Sequence, residues 1–98
     1  MSDVDADGAN NTDIGNTVSG GTARNVVEYL VRELVDDPDS VSIEAVEDRG
    51  RVEFQIETAP DDVGRIIGRR GHVIQSIRTL ARAAAGKEGL EADVEIID

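Results

Sequence analysis

The sequence predicts an α+β domain in the order α-β-β-α-α-β, a three-stranded sheet with three helices packed on one face. Three observations lead there. The neighbouring segments "SVSIEAVED" and "RVEFQIET" alternate apolar and polar residues with period two around a tight turn, and "EADVEIID" does so again near the end of the chain. Three other segments space their apolar residues by three and four, as amphipathic helices do. A single layer of helices on a single sheet buries all of these stripes at once.

Residues 1–21 are rich in Gly, Asn, Asp, Ser and Thr, and "GNTVSGG" is linker-like. They are expected to form a disordered acidic tail ahead of one domain over 22–98. In "TARNVVEYLVRELVDD", Val26, Val27, Leu30, Val31, Leu34 and Val35 make a helical stripe. Thr22 suits the N-cap, and Pro38 stops the helix by Asp37. Val41, Ile43 and Ala45 then share one face of a first strand, and Val52, Phe54 and Ile56 one face of a second. Arg49-Gly50 between them suits a two-residue hairpin turn with Gly50 at positive φ. Pro60 fits the first position of a short helix, with Asp61 and Asp62 at its positive end. After Gly71 a longer helix runs to about Ala85 on a stripe of Ile74, Ile77, Ala81 and Ala84, widened by Val73 and Leu80. Gly86 is the expected stop, and Ala92, Val94 and Ile96 point inward from a third strand.

Composition narrows the function. The chain has 98 residues, which favours one domain, and no cysteine, which removes disulfides and thiolate metal sites. His72 is the single histidine, so a histidine-based metal or catalytic site is not expected, and neither is any cofactor. No apolar run approaches the length of a membrane span, and the polar, acidic N-terminus lacks the features of a secretory signal; a cytoplasmic protein without membrane contact is expected. The formal net charge is −11, from 21 acids against 10 bases. The bases are not spread evenly: Arg65, Arg69, Arg70, Arg78, Arg82 and Lys87 lie in a stretch without one Asp or Glu. Such an island can draw a polyanion to one place on an acidic body.

The island centres on "GRIIGRRGHVIQ". It is not a P-loop, since no Gly-Lys-Ser/Thr follows and a helix leads into it, and it lacks the Gly-x-Gly-x-x-Gly of a dinucleotide site. A purely structural helix–turn–helix corner accounts for Gly68 and Gly71 but not for Arg69 and Arg70 between them. A backbone clamp accounts for all four. Glycines let a sugar-phosphate chain approach the main chain, the second helix offers N–H groups and a positive dipole end, and arginines add charge-assisted hydrogen bonds to phosphate.

"IIGRRGHVI" resembles the Ile-Gly-x-x-Gly-x-x-Ile signature of KH domains at Ile67, Gly68, Gly71 and Ile74. The element order resembles the type II, prokaryotic, arrangement over about residues 23 to 97. "DDVGRIIGRRG" with "IRTLARAAAGKEG" is similar, more narrowly, to the small bacterial single-KH RNA-binding proteins. The acidic N-terminal extension lies outside that pattern. The resemblance implies a type II KH fold that binds single-stranded RNA, with single-stranded DNA as an alternative ligand, and whose loop grips about four nucleotides of backbone. Carried over, the clamp is Gly68, Arg69, Arg70 and Gly71. Ile67 and Ile74 would floor the bases, with Val52, Phe54 or Ile56 contributing from the sheet, and Arg65, Arg78 and Arg82 would extend the phosphate track. For the apolar residues plain core packing is an equal alternative, and for Arg78 and Arg82 so is a solvated helix face.

The expected function is a non-enzymatic RNA-binding module of the RNA-chaperone or post-transcriptional-regulator type. Tyr29 and Phe54 are the only aromatics, so stacking contributes little. One domain gripping four nucleotides binds weakly, so dimerisation or a second KH-containing RNA-binding partner is expected to raise avidity. The competing reading is a protein-interaction module that uses a KH fold with residual nucleic-acid binding. No nucleophile–base pair suggests an enzyme, because Asp61 and Asp62 have a sufficient role at a helix start.

Overall fold

The computed structural model describes residues 21–97; the expected tail over 1–21 lies outside that range except for Gly21, which is buried at the start of the described part of the first helix. The elements are α1 (Gly21–Leu34), β1 (Ser42–Asp48), β2 (Arg51–Glu57), α2 (Val63–Ile67), α3 (His72–Gly86) and β3 (Glu91–Ile97). The predicted order α-β-β-α-α-β is the observed one. The three strands form one mixed sheet in the order β1-β2-β3, with β1 antiparallel to β2 and β3 parallel to it.

The central strand explains the architecture. Val52, Phe54 and Ile56 are fully buried and sit opposite Ala92, Val94 and Ile96 of β3. On the helical side they meet Val27 and Val31 of α1, Ile66 of α2, and Ile77, Ala81 and Ala85 of α3 in one continuous core. Each such aliphatic or aromatic side chain removed from water stabilises the fold by about 1.5–3 kcal/mol before entropy is set against it. A parallel neighbour for β2 requires a crossover, and the α2–loop–α3 segment supplies it.

The hairpin forms where predicted. Arg49 and Gly50 both take positive φ, 54° and 80°, the signature of a type I′ turn. Ala45, expected inward, is exposed although its register partner Phe54 is buried. The reason is position: β1 is an edge strand, and the helical layer covers Ile43 but ends before the strand's second half.

Helix α1 also differs in detail. Its described part begins at Gly21, so Thr22 lies in the first turn rather than at the N-cap. It ends at Leu34, ahead of Pro38: Val35 N–H still donates to Val31 C=O at 3.2 Å, but the following amides turn elsewhere, Asp36 N–H and Asp37 N–H donating to the carboxylate of Asp62 at 3.0 and 3.1 Å. Helix α3 runs through Gly86, one residue beyond the expected end at about Ala85, and its closing glycine comes three residues after the expected Gly86. Gly89 takes φ 74°, Leu90 N–H donates to Ala85 C=O and Gly89 N–H to Gly86 C=O, a Schellman closure in which Gly89, not Gly86, is the left-handed residue.

Among the described residues no helix covers the outer sheet face. By strand parity and register, Glu44, Asp48, Glu53, Glu57, Glu91, Asp93 and Glu95 point to that side, with Arg51 as the one cation among them. On the helical side Tyr29 and Leu34 of α1 and Leu80 of α3 remain exposed, bordering apolar grooves that also include Leu30 and Val73.

Candidate nucleic-acid interface

The site is built on a helix of one and a half turns. α2 has five residues, too few to hold together alone, so its position depends on anchors. Ile66 is one, fully buried in the core. Asp62, just before it, is the other. Asp62 is only 2% exposed, and its carboxylate accepts the Asp36 and Asp37 amides, just past α1, and the Arg65 Nε–H at 3.1 Å. The hydrogen bond from the Asp36 amide holds the Asp62 carboxyl below the usual carboxylate range. Burial works against this, and the Asp37 amide and the Arg65 charge add to it. The sequence reading placed Asp62 at its own helix's positive end, and it is the N-cap residue of α2; its carboxylate makes no side-chain cap there, however, and binds another segment's backbone.

Gly68 ends α2 with φ 75° and ψ 177°, its N–H donating to Gly64 C=O at 2.9 Å. Arg69 to Gly71 form a single tight turn, closed by Gly71 N–H to Gly68 C=O at 3.2 Å. Arg70 and Gly71 both take left-handed backbone, φ 56° and 76°. The chain therefore reverses within three residues and starts α3 at His72. Its N-cap, Gly71, has no side chain with which to cap it, and His72 N–H donates back to Arg69 C=O.

The ten bases separate into two groups. Arg24 and Arg32 pair with Glu28, and Arg51 with Glu91. Arg65 is held between Asp36 at 2.8 Å and Asp62 at 3.1 Å. Arg78 Nε donates to Val94 C=O at 2.9 Å and lies 3.5 Å from Asp93; Arg82 Nε donates to Ala92 C=O at 3.2 Å and its Nη2 reaches Asp93 at 3.4 Å. Arg49, Arg69, Arg70 and Lys87 have no such partner among the described residues. Arg69 and Arg70 are both exposed. Of the residues predicted for the site, the loop arginines thus carry uncommitted charge, whereas Arg65, Arg78 and Arg82 are engaged within the chain. Arg78 and Arg82 staple α3 to the free side of β3.

Among the apolar residues predicted to underlie bases, Ile67 is half-buried beside the loop and Ile74 is in the core. Val52, Phe54 and Ile56 lie beneath the helices with no exposed surface, so their role is packing. Gly64 was not singled out in the sequence, yet it is exposed in the middle of α2, and a β-carbon there would touch nothing within 4 Å. A glycine costs about 1 kcal/mol in a helix relative to alanine, and the fold does not require this one. Its spacing of four residues before Gly68 places it on the helix surface next to the clamp.

Comparison with known proteins adds to this geometry. Residues 24–96 match the family model described as KhpA/KhpB, KH domain. The chain is 39% identical over 72 residues to the RNA-binding protein KhpA of Caldanaerobacter subterraneus subsp. tengcongensis, covering 74% of this chain and 96% of that one. It is 40% identical over 68 residues to the RNA-binding protein KhpA of Mycobacterium tuberculosis, covering 69% and 84%. Among solved structures it is similar to Era in complex with MgGDPNP and nucleotides of 16S ribosomal RNA, with a TM-score of 0.59 and 19% identity. That likeness covers 76% of this chain but 30% of Era, and at such identity it shows the fold alone. Helices on one face of a mixed three-stranded sheet, a Gly-Arg-Arg-Gly turn between α2 and α3, and a family match spanning all six elements agree: the chain belongs to the KhpA/KhpB family of KH domains.

Proposed function

We propose that the chain binds single-stranded RNA, gripping its backbone with the loop Gly68–Gly71. The observation that carries this is the uncommitted charge of Arg69 and Arg70, held on a left-handed turn at the open N-terminus of α3 while six other bases are tied to carboxylates or carbonyls. Relatives that match most of the chain bear the name RNA-binding protein KhpA. Phosphates would take the Arg69 and Arg70 guanidinium groups and the first-turn N–H groups of α3 beyond His72, whose own N–H donates to Arg69 C=O, and bases would lie over Ile67 and the bare surface at Gly64. A site of this size holds about four nucleotides and reads sequence weakly. That suits a chaperone or post-transcriptional regulator better than a single-target repressor.

The exposed strip of Tyr29, Leu34 and Leu80 favours a dimer, with a second copy or another KH-containing protein of the same family, which would place two loops on one RNA. The protein-interaction reading rests on that same strip. Changing Arg69 and Arg70 to Asp decides between the readings. RNA binding lost with the fold intact supports the clamp. RNA retained by the variant removes the loop from the site, and wild type that binds no RNA yet captures protein leaves interaction as the function.

A further inference from the structure

We infer that Asp62 is a positioning residue for the RNA clamp, fixing the orientation of the loop without touching RNA. This rests on the RNA-binding reading above. Gly68 is the first residue after α2, so where the loop points is decided by where that five-residue helix lies. Within the segment Pro60–Ile67 only two side chains are buried, Asp62 and Ile66. They are four residues apart, one helical turn, and therefore fix the helix at both ends. Ile66 holds one end by apolar contact, which resists displacement from the core but barely resists rotation. Asp62 holds the other by directional bonds to the Asp36 and Asp37 amides, 25 to 26 residues upstream, and these set the rotation.

Arg65 closes the arrangement. Its Nε meets Asp62 and its Nη2 meets Asp36, so the same carboxylate that binds the end of α1 also binds the middle of α2. The side chains of Asp36 and Asp37 are exposed, and water can reach their amides if the carboxylate is removed. Loss of Asp62 is therefore expected to leave the fold standing on its apolar core while α2 swings on Ile66.

The experiment compares Asp62→Asn and the milder Asp62→Glu with wild type in the full chain. It uses an unstructured single-stranded RNA of about eight nucleotides, enough to exceed the four held by one loop. Wild type is titrated first; if it binds no RNA, the RNA reading itself fails, and amide exchange still tests the positioning. The expected result for Asp62→Asn is a loss of affinity of about tenfold, the scale of a lost hydrogen bond to a charged group. The dependence of affinity on salt should not change, since no phosphate contact is removed. Amides of Gly68 to Gly71 should exchange faster, with those of Phe54 and Val94 unchanged. Combined with Arg69→Ala, the two losses should fall short of multiplying, because a misplaced loop has already forfeited part of what Arg69 contributes. A merely structural role would leave that coupling at zero. Affinity within twofold of wild type, independent losses, or unfolding of both variants overturns the proposal; the last would make Asp62 a residue of the fold alone.

Discussion

Gly68 and Val73 are packed so closely that a β-carbon on Gly68 would lie 2.9 Å from the Val73 backbone nitrogen and overlap the Val73 side chain. The two glycines of the loop therefore differ in kind. Gly68 is required by the protein's own packing and by a backbone conformation, φ 75° and ψ 177°, that is essentially confined to glycine. Gly71 has ordinary left-handed backbone, φ 76° and ψ 12°, and open space where its β-carbon would be. Only Gly71 keeps a face bare that the fold does not itself need.

Alanine at the two positions should accordingly have different effects. Gly68→Ala is expected to lose about 3 kcal/mol of stability, from backbone strain and overpacking together. Gly71→Ala should lose about 1–2 kcal/mol, the cost of a left-handed L-residue, and remain folded. Urea unfolding checks both. RNA titration of the folded Gly71→Ala variant then isolates the effect of a methyl group at the clamp.

Arg69 and Arg78 should respond oppositely to truncation. Arg69→Ala is expected to change stability by no more than about 0.5 kcal/mol and to reduce the slope of log affinity against log salt by about 1. Arg78 is only 20% exposed and its guanidinium satisfies the Val94 carbonyl, so Arg78→Ala should destabilise by about 1–2 kcal/mol and leave that slope as it was. Both slopes are to be read above about 0.1 M salt, where the acidic body is screened.

Asp62 gives stability a defined pH dependence. Its carboxyl titrates below the ordinary value of 3.8 in the folded chain because the Asp36 amide, and then the Asp37 amide and Arg65, favour the charged form. As pH falls past that ordinary value the unfolded chain takes up the proton first, so unfolding is favoured. The contribution is thus complete above about pH 5 and is lost as pH drops through the lowered folded value. The stability gap between wild type and Asp62→Asn should narrow from pH 6 toward pH 3 in denaturant titrations; a gap constant over that interval would show that the charge of Asp62 contributes nothing.

Leu80 is 48% exposed and borders both grooves between α1 and α3. Leu80→Glu is expected to abolish self-association in sedimentation experiments with little effect on the monomer's fold, since the side chain is not in the core. In the proposed dimer, RNA affinity of wild type should exceed that of the variant, by more for long RNAs than for tetramers.

Much of this was legible in the sequence, and for a common reason. Period two in β2 and β3, period three-to-four in α1 and α3, and glycines at the turns are local signals, and the fold follows them. What was hidden depends on partners distant in the chain. Asp62 looked like an N-terminal helix acid because the amides it binds lie in a segment that sequence spacing cannot bring near. Arg65, Arg78 and Arg82 looked free in an acid-free stretch, but their acids and carbonyls come from α1's end and from β3. Ala45 kept its inward parity and lost its cover, because parity does not reveal how far a helical layer extends.

The placement of acids on the open sheet face also has a kinetic consequence. The uncommitted Arg69 and Arg70 at one end of the helical layer and the carboxylates across the outer sheet face separate charge along the domain, although Arg49 and Lys87 lie elsewhere. Near a polyanion such an object experiences a torque that turns the loop inward and the sheet away, so encounters are aligned before contact. At low ionic strength the whole net charge of −11 is felt and repels. Once the Debye length falls to about 8–10 Å, roughly the spacing between packed layers, RNA at the loop is shielded from the far face while still close to Arg69 and Arg70. The association rate plotted against salt should therefore pass through a maximum before counterion competition brings it down.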